Sequence, residues 1–117
     1  MKLVQDAIAP TGISCDAGAW RSKEGEAEPP TAYIVYTTTR HEARHADDET
    51  TEWSVHVYME LYSLSDPTDA RRAVRAAMYE AGFHLVEERE TYERETATNR
   101  VSWTWRIFLD PEEEGRT

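Results

Sequence analysis

The pentapeptide His41-Glu42-Ala43-Arg44-His45 satisfies the pattern H-E-x-x-H. On a helix, histidines four residues apart share one face and hold a zinc ion while the glutamate acts as general base. The surroundings oppose that chemistry. The flanking residues 31–39 and 52–62 are rich in strand formers, so the motif falls in a polar connection of a β-hairpin, and Arg44 would set a cation beside the metal. Asp47, Asp48 and Glu49 follow as further carboxylates, but no apolar pattern fixes them in place. We therefore expect no catalytic centre, no bound metal and no cofactor, and read the chain as a non-enzyme.

The remaining chemistry-bearing residues point the same way. Glycines 12, 18, 25, 82 and 115 are scattered, so no glycine-rich loop can cradle a phosphate. Cys15 is the single cysteine, which rules out an internal disulfide and a cysteine-rich metal site and fits a reducing compartment. Acids gather at residues 42–52, 87–95 and 110–114, and such groups are ordinarily a solvated charged face. The chain has 117 residues and 23 acidic against 13 basic side chains, a formal net charge of −10. That charge excludes a sequence-independent duplex binder and an anionic membrane surface as partner. Residues 1–10 contain no apolar run of signal-peptide type, and no segment approaches the length of a membrane span.

These residues need a scaffold, and the apolar periodicity outlines it. Residues 1–8 carry Leu3, Val4, Ala7 and Ile8 on one helical face, and Pro10 and Gly12 end that helix. Residues 13–19 read as a short strand and residues 21–30 as a loop. Residues 31–39 are a strand, and residues 40–50 are a polar stretch. Residues 52–62 are the clearest strand: Trp53, Val55, Val57, Met59 and Leu61 face one side, and Ser54, His56, Tyr58, Glu60 and Tyr62 the other. Asp66-Pro67 starts a helix over 67–81 with Ala70, Ala73, Val74, Ala77 and Met78 inward and Arg71, Arg72 and Arg75 outward; Gly82 stops it. Residues 83–91 form a charged, edge-like strand. After a turn at 96–99, residues 101–109 alternate again, with Val101, Trp103, Trp105, Ile107 and Leu109 on one face. The expected fold is an α+β two-layer sandwich, an antiparallel sheet of four or five strands covered by one main helix plus a short N-terminal helix. Residues 1–109 form its single domain and residues 110–117 an acidic tail.

The series Pro29-Pro30-Thr31-Ala32-Tyr33-Ile34-Val35-Tyr36, then Val55-His56-Val57-Tyr58-Met59-Glu60-Leu61-Tyr62-Ser63, Asp66-Pro67-Thr68-Asp69, Ala81-Gly82-Phe83 and a final hairpin resembles one known group. It is similar to the tail terminator, or tail completion and head–tail joining, proteins of long-tailed bacteriophages, over residues 1–109. The resemblance implies a structural virion protein that forms a ring, usually of six subunits, on the head-proximal end of the tail tube. Such a ring ends tube growth and joins the tail to the head. Its implied partners are further copies of itself, the tail tube protein and a head or neck connector, with DNA passing through unbound. Its implied location is the virion, assembled in the host cytoplasm. Another neck component, a stopper or adaptor, is the nearest alternative; a small acidic inhibitor or DNA mimic is a second.

In a ring, the polar segments 21–30 and 40–52 are expected to carry the assembly contacts, because they are too polar to pack in the subunit's own core. Trp20, Tyr58 and Tyr62 would be the apolar anchors beside them. Arg21, Arg40, His41, Glu42, Asp47, Asp48 and Glu49 would supply salt-sensitive contacts or an acidic channel lining.

Overall fold

The computed structural model describes residues 1–19, 30–46 and 49–110. Helix α1 (Lys2–Ile8) runs into a 3-10 turn (Ala9–Thr11) and strand β1 (Ser14–Ala17). Strands β2 (Ala32–Ala46) and β3 (Glu49–Ser63) form a long hairpin, followed by helix α2 (Thr68–Glu80) and the hairpin of β4 (His84–Glu93) and β5 (Thr98–Leu109). One sheet holds all five strands in the order β1-β2-β3-β5-β4. The architecture is the expected α+β sandwich, but the sheet is mixed. β1 lies parallel to β2, whereas the other three pairings are antiparallel. A parallel neighbour needs a crossover of a dozen or more residues, which residues 18–31 provide.

The core forms where the alternating strands meet the two helices. Val57, Met59 and Leu61 of β3, Val101, Trp103 and Trp105 of β5, and Ile34 and Tyr36 of β2 are buried in one cluster with Val4, Ile8, Val74 and Met78 of the helices. The Met1 ammonium donates to the Tyr36 hydroxyl at 2.7 Å, which ties the start of α1 to β2. Ile107 is half-buried and packs against the cluster, whereas Trp53 is half-buried outside it, contrary to its expected place in the core. β3 and β5 continue past the helical layer there, and Val55 and Leu109 likewise lie outside the contiguous cluster.

Helix α2 starts one residue later than expected, with Pro67 at its N-cap, and Asp66 braces that start from the position before it. The Asp66 carboxylate accepts from the Thr68 backbone N–H at 3.0 Å and from the Thr68 hydroxyl at 2.6 Å. The hydroxyl bond, then the backbone bond, holds the Asp66 carboxyl below the usual aspartate range. A depressed folded-state value means that the stabilisation is complete above the unfolded value, about pH 4, and is lost as pH falls through the folded one. Asp66→Asn should therefore flatten the acid limb of the stability profile, and acid titration of the melting temperature checks it. At the other end, Gly82 takes a left-handed φ of 96° that side chains rarely adopt, which turns the chain into β4.

The inner stripe of α2 is rotated from its expected position. Ala73 is exposed, and Arg71 and Arg75, expected to point outward, are partly covered. Each residue advances about 100° around the axis. A stripe centred between Val74 and Met78 therefore leaves Ala73 outside and brings Arg71 toward the sheet. The arginines meet β4. Arg75 lies 3.7 Å from Glu88, and Arg71 lies 4.0 Å from Glu88 and 3.7 Å from Glu90. Glu88 also accepts the Trp103 indole N–H at 2.7 Å. One carboxylate thus joins helix, edge strand and core. Glu88→Ala should cost about 1–3 kcal/mol, because it strands a buried donor. Urea denaturation reads that loss, and Trp103→Phe should cost less in the Glu88→Ala background than in the parent.

The largest departure from expectation is in residues 40–50. Residues 40–46 and 49–50 are strand, not loop: the ladder runs through Arg40↔Val55, His41↔Ser54, Glu42↔Trp53, Arg44↔Glu52, His45↔Thr50 and Ala46↔Glu49, with irregularities on either side of Arg44. β5 accompanies β3 only as far as Trp53↔Leu109. Beyond that pair, β2 and β3 continue alone as a two-stranded arm, whose residues 49–52 add about 14 Å of strand. The described structure measures 53 × 31 × 24 Å along its principal axes.

Candidate functional site

Both helices pack on one face of the sheet, and among the described residues no helix or strand covers the other. The register decides what that open face displays. Paired residues share a face, so successive rows read Tyr33–Tyr62–Arg100–Thr91, Val35–Glu60–Ser102–Arg89, Thr37–Tyr58–Thr104–Glu87 and Thr39–His56–Arg106–His84, with His41–Ser54–Phe108 nearest the arm.

Aromatic and charged groups mark both ends of this face. At the end away from the arm, the Tyr33 and Tyr62 rings stack with centroids 5.2 Å apart. The Tyr62 hydroxyl donates to the Glu60 carboxylate. Burial first, then the bond to Glu60, pushes the Tyr62 phenol up to about 12, so it remains a neutral donor. At the arm end, the His41 and His56 rings meet edge-on at 6.3 Å, His56 lies 6.5 Å from Tyr58, and the Arg106 guanidinium sits 5.2 Å over the Phe108 ring. Between these ends lies an open hollow of about 240 Å³, bordered by Tyr58, Glu60, Arg89 and Arg100.

The structure distributes the expected interface residues rather than gathering them. Tyr58 and Tyr62 lie on the open face, two rows apart, with Tyr58 44% exposed. His41 shares that face, whereas Arg40 and Glu42 alternate to the helical side opposite Val55 and Trp53. Trp20, Arg21, Asp47 and Asp48 lie outside the described residues, as does the Glu49 side chain; the Glu49 backbone opens β3. The sequence reads His56 and His84 as surface or interface histidines by default, and does not single out Arg106 and Phe108 as interface residues. The outward positions of His56, Arg106 and Phe108 were visible in the alternation, but their proximity comes from the β3–β5 register, which links distant segments.

Metal and nucleophile chemistry find little support in this geometry. His41 and His45 lie on a strand, where four residues span about 13 Å rather than one helical turn. Among the described residues no group of three or more His, Cys, Asp or Glu is placed to share a metal. Burial, then the charge of Asp16, pushes the Cys15 thiol up to about 11, which keeps it protonated and a poor nucleophile. No helix among the described residues is long and apolar enough to cross a membrane.

No family model matches the chain, and no curated protein matches it. Among solved structures, it is similar to a chain of the virion of a native gene transfer agent particle. The TM-score is 0.54 at 12% identity, over 89% of this chain and 84% of that one. At that identity the likeness is one of fold.

Proposed function

We propose that this chain is a structural protein of a phage-like virion and, within it, the subunit of a ring that caps the head-proximal end of the tail tube. The observation that carries the reading is the shared fold with a chain of the gene transfer agent virion, over most of both chains. The arm supports the finer role. An isolated two-stranded ribbon is marginal in water, so a projecting one is best stabilised by a neighbouring molecule. An arm that reaches one neighbour while the body receives another is a heterologous contact, and repetition of such a contact closes a ring. The net charge of −10 suits a lumen through which DNA slides without adhering. The partners of this ring are its own copies, most simply six, the tail tube protein below and a head or neck connector above. The role requires no catalysis.

Native mass spectrometry and sedimentation velocity on the full chain test the reading. The expected result is a discrete multiple of 13.5 kDa, with a central opening in negative-stain images and a capping effect on growing tubes. A chain that stays monomeric at all concentrations and binds one basic protein one-to-one would replace it with the acidic-inhibitor reading.

A further inference from the structure

We infer that the open sheet face at the base of the arm, built from His41, His56, His84 and Arg106, receives the acidic arm of a second copy of this chain. The inference rests on the ring reading and names its receiving surface. The first observation is composition. In a chain of net charge −10, Arg106 and three of the four histidines, all able to donate hydrogen bonds, occupy two adjacent rows of one face. The nearest acid on β4, Glu87, is already engaged by Arg89 at 2.9 Å. The second is unmet hydrogen bonding. His56 Nδ1 and Arg106 Nε are shielded from water and have no partner among the described residues. Such groups are destabilising until an acceptor arrives, and a carboxylate is the acceptor that best matches a guanidinium. The Phe108 ring already holds the Arg106 guanidinium in place, so little side-chain freedom is lost on docking.

The occupant follows from where the chain keeps its acids. Residues 42–52 carry Glu42, Asp47, Asp48, Glu49 and Glu52 against Arg44 alone among Lys and Arg. Among the described residues, β2 and β3 continue past the last β3–β5 pair, Trp53↔Leu109. The acids of that arm reach a basic face by docking on another copy. Giver and receiver are different surfaces of one chain, which is the heterologous geometry that a ring requires.

Charge reversal on the full chain, read by sedimentation velocity at low and moderate salt, tests this. Arg106→Glu and the paired change Asp47→Arg with Asp48→Arg should each raise the concentration for half-assembly by about 10-fold or more, with unchanged circular dichroism. Combining both reversals in one chain should restore assembly to within a few-fold of the parent, which misfolding would not do. An assembling parent that tolerates Arg106→Glu, or a combined variant no better than the worse single change, overturns the inference and leaves the ring reading standing. A parent that never assembles overturns both. Loss of assembly on removing residues 111–117, matched to that of Arg106→Glu, would make the acidic tail the occupant instead.

Discussion

Val57→Asp is expected to unfold the subunit. Val57 is fully buried in the middle of β3, paired with Thr38 on β2 and with Trp105 on β5. An aspartate there loses the valine's apolar contacts and brings a carboxylate beneath the helices, where the core cluster is made of apolar side chains and one tyrosine. A buried charge with no partner costs about 3–5 kcal/mol. A domain of this size is stable by about 5–15 kcal/mol in total. The measurable result is loss of the cooperative urea transition, or recovery of the protein only in aggregates. Val57→Ala, which leaves a cavity without a charge, should keep a cooperative transition at a lower midpoint. Soluble Val57→Asp protein with near-parent stability would show that the sheet face is not the core.

The second large effect separates folding from assembly. Glu42 and Trp53 face each other across the β2–β3 ladder, so residues 43–52 can be replaced by Asn-Gly, the pair that favours a tight two-residue hairpin turn. Every residue of the buried cluster lies outside the removed stretch. Stability should change by no more than about 1 kcal/mol. Among the described residues, the ion pair removed, Arg44 to Glu52 at 3.5 Å, is largely exposed on the arginine side and contributes little. Assembly should fail entirely, leaving a monomer slightly lighter than the 13.5 kDa parent subunit, with an intact far-ultraviolet spectrum. A trimmed subunit that still forms rings and completes tails would deprive the arm of its assembly role.

The same contrast explains what could be read from the residues. The alternation from Val55 to Leu61 and from Val101 to Trp105 is legible because one face is covered and the other is not. Residues 40–52 read as loop because they carry no apolar alternation, and among the described residues no third strand pairs with the arm beyond Trp53↔Leu109. The Asp66-Pro67 start of α2 is local chemistry and was visible, whereas the rotation that exposes Ala73 was not. Alanine contrasts weakly with a surface, and the long apolar stems of Arg71 and Arg75 cover the sheet while their charged ends meet Glu88 and Glu90. The parallel placement of β1 and the His56–Arg106 row depend on which distant strands lie together. No short-range pattern encodes that, whereas the outward positions of Tyr58 and Tyr62 follow from the alternation within β3 alone.

Strand β4 has a consequence for how the protein survives at high concentration. It borders the sheet, and β5 is its single strand neighbour. Along it, Glu87, Glu88, Arg89, Glu90 and Glu93 interrupt the apolar residues, leaving Val86 and Tyr92 as separated exposed apolar positions. A second molecule approaching sideways would set like charges against one another and would have to strip water from them. The opposite border, β1, is four residues long. Neither border therefore offers a long, uncharged template for strand addition by another molecule.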